Sequence, residues 1–158
     1  MDQDRKSTGL KMLQGLIWKE GYDRGELRGV VFPDVAPALE RWHAQGRDVR
    51  IFSSGSVLAQ RLLFATCPEG DLTRFIRGYF DTTTGSKKDA ASYRIIAQAF
   101  GLTPDRILFA SDVVEELDAA RVAGMETRLA VRPGNAKVHD PNGHPFVSSF
   151  DEMEPVTN

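Results

Sequence analysis

One cysteine, Cys67, stands in 158 residues, which excludes an internal disulfide and any cysteine-rich zinc site. No apolar run comes near the ~20 residues that span a bilayer. Neither sign of charge dominates: 20 Lys and Arg face 22 Asp and Glu, a formal net charge of −2. Nothing in that balance draws the chain to nucleic acid or to an anionic membrane. The first residues, Met1 to Lys11, are too polar for a signal peptide, which points to a cytoplasmic protein. Three histidines, His43, His139 and His144, are scattered too widely for a metal site and read as surface residues. What is present, 41% hydrophobic and 27% charged residues, is the composition of a globular domain long enough to bury a core.

Hydrophobic periodicity sets the element pattern. Leu10, Leu13, Leu16 and Ile17 predict a helix over 6–20, with Gly21 as its stop. Val35, Leu39 and Trp42 predict a second, capped by Asp34 and ended by Gly46. Between them, Gly21 to Pro33 reads as a connection whose Tyr22, Val30, Val31 and Phe32 cover something. Further helices follow from Ser56 (Leu58, Leu62 and Ala65 on one face), near 72–76, and over 87–100 behind a Ser86-Lys87-Lys88-Asp89 capping box. A last helix carries Val114, Leu117 and Arg121 and ends at Gly124. Strands are predicted at 48–53, 79–80, 107–110 and 127–131, with a short edge strand at 146–148. This alternation implies βαβ units in a parallel, doubly wound α/β sheet, where ligands bind beyond the carboxyl ends of the strands.

Three such ends carry chemistry. After the first strand, Ser53-Ser54-Gly55-Ser56 offers hydroxyls and helix-start amides to a phosphate; the same residues serve equally well as a helix cap. After the second, Lys87 is read at the first turn of a helix, where the macrodipole disfavours a cation unless an anion is bound; a solvated lysine is the alternative. The Gly85-Ser86-Lys87 triplet lacks the preceding glycine of a P-loop. After the third, Asp112 follows an apolar strand and suits Mg²⁺, which takes one or two carboxylates with phosphate and water. Its other reading is a helix cap. Glu116 reads as an exposed helix acid, or as a support to the site from behind.

A serine, then a lysine, then an aspartate in this order resembles the second, third and fourth motifs of the haloacid dehalogenase superfamily. The strings Leu10-Lys11-Met12-Leu13-Gln14-Gly15-Leu16-Ile17-Trp18, Phe52-Ser53-Ser54-Gly55-Ser56-Val57-Leu58-Ala59-Gln60, Phe80-Asp81-Thr82, Leu108-Phe109-Ala110-Ser111-Asp112-Val113 and Val131-Arg132-Pro133-Gly134-Asn135 resemble its enolase-phosphatase E1 (acireductone synthase) family. The resemblance runs from about Asp2 to Phe150. It implies a haloacid dehalogenase-like, Rossmann-like fold with residues 1–32 as the remnant of a helical cap and 33–158 as the α/β core. It implies conversion of 2,3-diketo-5-methylthiopentyl-1-phosphate to acireductone and phosphate in methionine salvage, with Mg²⁺ as cofactor. By motif position Ser53 and Ser54 bind the phosphate, Lys87 neutralises it as a catalytic residue, and Asp112 ligates the metal. The partner is then a small phosphorylated diketo substrate and the full-length protein a monomer.

The superfamily's first motif, an apolar strand ending in Asp-x-acid-Thr, has no counterpart here. Asp2 and Asp4 copy the spacing, but no apolar strand precedes them and Arg5-Lys6 follow. The resemblance therefore implies a chain without its nucleophile and without a central first strand, inactive alone. Baring the two flanking strands costs ~1–3 kcal/mol per unsatisfied group, against a typical total stability of ~5–15 kcal/mol. Another phosphatase of the superfamily, or a non-catalytic relative that binds phosphate or Mg²⁺, is the competing reading.

Overall fold

The computed structural model describes residues 19–153. Up to residue 18, the helix expected over 6–20 lies outside the described residues, as do Asp2, Asp4 and the string Leu10 to Trp18. The chain divides into two compact units, residues 1–83 and 84–158.

In the first unit, residues 19–23 are helical, so Gly21 is not the stop. Gly25 is, because its φ of 71° is the left-handed value that lets the chain turn away from a helix. The connection that follows approaches the rest of the unit at Gly29, whose N–H donates to the Thr66 hydroxyl at 2.8 Å. Val30 and Phe32, expected to be covered, are exposed. Helix α1 (Val35–Ala44) buries Ala38, Leu39 and Trp42. Asp34 precedes it but its side chain makes no capping bond: its backbone is already helical (φ −80°, ψ −12°). Strand β1 (Arg50–Phe52) leads through Ser56 to helix α2 (Val57–Ala65). Ser56 caps that helix, its hydroxyl accepting from the Ala59 N–H at 3.1 Å. A 3₁₀ turn at Leu72–Phe75 opens onto strand β2 (Gly78–Phe80). The two strands pair in parallel, Ile51 opposite Tyr79.

The face expected inward on α2 is not the one observed. Leu58 and Ala65 are exposed, and Ala59 and Gln60 are buried instead. The Gln60 amide reaches two main-chain carbonyls, and that bonding, which a count of apolar residues does not register, brings its side of the helix inward.

In the second unit, helix α3 (Ala90–Phe100) buries Tyr93, Ile96 and Ala97, as its period requires. A 3₁₀ turn at Pro104–Arg106 leads to strand β3 (Leu108–Ser111), then helix α4 (Val114–Val122) and strand β4 (Glu126–Ala130). Strand β5 (Phe146–Val147) and a 3₁₀ turn at Phe150–Glu152 end the described chain. The sheet order is β3-β4-β5, all parallel. Helix α4 packs on β3 and β4 and against α3. Tyr93, Leu117 and Leu129 are the largest fully buried side chains of this unit. The parallel α/β class is as expected. Among the described residues, β1 has β2 as its one strand neighbour and β3 has β4 as its one.

Candidate active site

Ser53 and Ser54 stand in the first unit and Lys87 and Asp112 in the second. At the end of β1, the Ser53 N–H donates to the Phe80 carbonyl at 3.1 Å, tying the strand end to that of β2. The Ser53 hydroxyl accepts from the Gly55 N–H at 3.1 Å, which closes a tight turn. Ser54 is exposed at its crest. Capping of α2 falls to Ser56, so the cap alternative for the serine string is taken by that residue. Gln60 fastens the turn from beneath: its Nε2 donates to the carbonyls of Gly55 and Phe80, both at 2.9 Å. One side chain thus holds the serine turn to the strand end that precedes Asp81. The sequence signal for Gln60 was faint, an amide one turn inside a helix after Ser-Gly.

In the second unit, Lys87 is not in the first turn of a helix. Asp89 is the N-cap of α3, accepting from the Ala91 N–H at 2.9 Å, and the helix begins at Ala90. The expected capping box from Ser86 does not form: the Ser86 hydroxyl accepts from the Lys88 N–H at 3.2 Å in a local turn, and Asp89 caps the helix instead. The dipole argument for an anion at Lys87 therefore falls. What the lysine meets is a protein carboxylate: its Nζ pairs with Glu116 Oε2 at 2.9 Å. Glu116 is buried, at 7% exposure, which overturns its reading as an exposed helix acid. Its Oε2 also accepts from the Ser111 hydroxyl at 2.7 Å, and that hydroxyl in turn accepts from the Val113 N–H at 3.1 Å. The signal was present: Glu116, Ala119 and Ala120 share one face of α4 at helical spacing, an acid on an apolar stripe.

The main chain at Lys87 is held as firmly as its ammonium. The Tyr93 hydroxyl donates to the Lys87 carbonyl at 2.5 Å, and the Ser92 hydroxyl donates to that of Ser86 at 2.7 Å. Burial first, and the Glu116 charge second, push the Tyr93 phenol well above its usual range, so it stays a donor. Gly85 is required beside it. Its φ is 137°, and a Cβ there would stand 2.3 Å from Ser92 Oγ. Asp112 is exposed, and the N-cap position of α4 is Val113, with no side-chain capping bond. The cap alternative for Asp112 is thus not the one observed. Among the described residues, no three His, Cys, Asp or Glu side chains cluster as a metal site.

His144 is not a surface residue either. It is 3% exposed, its Nδ1 2.6 Å from Thr127 Oγ1 and its Nε2 2.8 Å from Asp118 Oδ1. A hydroxyl, an imidazole and a carboxylate in line suggest a nucleophile, but Thr127 is itself buried and no substrate reaches it. This cluster fastens the turn before β5 to α4.

The family follows from comparison with known proteins. The model of the haloacid dehalogenase-like hydrolases matches residues 9–124. The chain belongs to that family. It is 54% identical over 153 residues to the enolase-phosphatase E1 of Synechococcus elongatus, covering 97% of this chain and 64% of that protein. To the enolase-phosphatase E1 of Klebsiella pneumoniae it is 52% identical over 156 residues, covering 98% of this chain and 66% of that one. The chain therefore spans just under two thirds of the length of the curated relatives it matches. Among solved structures, the Unknown transcript 4 protein of Saccharomyces cerevisiae superposes with a TM-score of 0.85 at 38% identity, over 96% of this chain and 70% of that one. The resemblance read from the serine, lysine and aspartate strings is borne out, and with it the fold of the family.

Proposed function

We propose that this chain carries the phosphate- and metal-binding part of an enolase-phosphatase that converts 2,3-diketo-5-methylthiopentyl-1-phosphate to acireductone and phosphate in methionine salvage. The observation behind this reading is the identity to enolase-phosphatases E1 over nearly the whole chain. Residues 1–32 belong to a helical cap and 33–158 to the core; the protein is cytoplasmic, and monomeric at full length. Among the described residues no helix is long and apolar enough to cross a membrane.

Ser53 and Ser54 bind the substrate phosphate through hydroxyl and turn amides, and Lys87 supplies the opposing positive charge. Glu116, Ser111 and Tyr93 aim that lysine. Asp112, exposed and making no capping bond to α4, suits Mg²⁺, which is content with one carboxylate when phosphate and water complete its shell. Bound there, the ion would offset phosphate charge.

The group that attacks phosphorus in this superfamily is the first aspartate of an Asp-x-acid-Thr string that ends an apolar strand, and the 158 residues contain no such string. The chain alone therefore turns nothing over. Purified chain mixed with the diketo phosphate is expected to release no phosphate, and to release it once a polypeptide with an apolar strand ending Asp-x-Glu-Gly-Thr is added. Release by the chain alone, abolished by Asp112→Ala, would overturn the inactivity. Release from the supplemented mixture with simple phosphate esters but not the diketo substrate would overturn the assignment of substrate.

A further inference from the structure

Between the second half of α2, the exit of the 3₁₀ turn and β2, the first unit holds a pocket of about 380 Å³. That lies at the small end of the ~300–1,000 Å³ range of ligand pockets. Leu62, Ala65 and Ile76 line it with apolar side chains, and Arg61, Arg77 and Tyr79 with polar ones.

Among the described residues, neither Arg61 nor Arg77 has a carboxylate partner. Arg50 beside them in the fold has one, pairing with Asp48 at 2.9 Å. Arg61 lies 5.3 Å over the Tyr79 ring, a contact that is weak when exposed and easily traded for an ion pair. The Tyr79 hydroxyl is shut off from solvent and has no hydrogen-bond partner, which is unfavourable for a buried donor. Burial pushes its phenol up, more than Arg61 draws it down, so it remains a donor. Thr73 offers nothing further, since its hydroxyl is given to Asp71 at 2.5 Å. The same bond turns Asp71, an acid whose charge reaches Tyr79, onto the 3₁₀ turn.

We propose that this pocket binds a small organic oxyanion, a phosphate or carboxylate head held by Arg61 and Arg77 and an apolar body laid on Leu62, Ala65 and Ile76. Arg61 swings from the Tyr79 ring onto the head, and the uncovered phenol donates to it. The site is separate from the serine turn and does not depend on the phosphatase reading.

Phenylphosphonate, which no phosphatase cleaves, is the probe, with inorganic phosphate as the head alone. Titrated into the full chain labelled with ¹⁵N, it is expected to shift the Arg61 and Arg77 Nε signals and the Ile76 and Tyr79 amides saturably. Binding should be tighter than that of inorganic phosphate, about tenfold weaker in Arg77→Gln, weaker again in Tyr79→Phe, and unchanged in Ser53→Ala. Both arginines are exposed, so their variants fold. Shifts confined to Ser54 and Gly55, equal affinity for the two probes, or no saturation would each overturn the proposal.

Discussion

Glu116 carries the most information per residue in the second unit. Its carboxylate takes the Lys87 ammonium at 2.9 Å and the Ser111 hydroxyl at 2.7 Å while almost wholly removed from water. Removing one member of such a group leaves the other uncompensated. Glu116→Gln is expected to lower stability by about 1–3 kcal/mol, below the range for a fully buried pair because Lys87 keeps some solvent. Urea denaturation reads it; an unchanged midpoint would show that the pair does not hold the loop. Asp118 is the residue through which pH acts. The His144 hydrogen bond, then those of Asn142 and the nearby positive charge, hold its carboxyl below the usual range. A depressed carboxyl stabilises the fold fully above its unfolded value, about 3.9, and that stability is lost as pH falls through the folded value. Stability should therefore fall on acidification below about pH 4, and Asp118→Asn should flatten that slope. A slope identical in both proteins would remove Asp118 from the account.

At the level of elements, the close approach of the 24–32 connection to α2 rests on a missing side chain. A Cβ on Gly29 would sit 1.7 Å from the Leu63 carbonyl oxygen and 3.1 Å from Cys67 Sγ. Backbone cannot yield at that distance, so Gly29→Ala is expected to cost about 1–3 kcal/mol by overpacking. Cys67 reports it directly. Its thiol is buried, donates to the Leu63 carbonyl at 3.2 Å, and is pushed up chiefly by burial, so native chain should react slowly with a thiol reagent. The alanine variant should react faster under the same conditions; equal rates would mean that the connection shifts without strain. Elements were legible where a period or a cap decided them: α3 from Tyr93, Ile96 and Ala97, and α2 from Ser56. They were misread where a polar side chain competed. Gln60 turned the face of α2, and Asp89 took the capping role assigned to Ser86, moving Lys87 out of the helix.

Across the whole chain, the alternation of short apolar strands with helices was enough to give the parallel α/β class, because that pattern follows from which residues must be buried. The position of the serine string, Lys87 and Asp112 after strands was equally legible. The partners were not. Glu116, itself bonded by Ser111, reaches Lys87 from α4 across 29 positions, and His144 reaches Asp118 across 26. Contacts of that separation arise from packing, which no local spacing encodes. The sheet order has a consequence of its own. Among the described strands β4 alone has a neighbour on each side, whereas β1 and β2 are three residues each with one partner apiece. Every amide of the first sheet is thus an edge amide, one opening away from water, and β4 is the spine whose amides trade their hydrogens with solvent last.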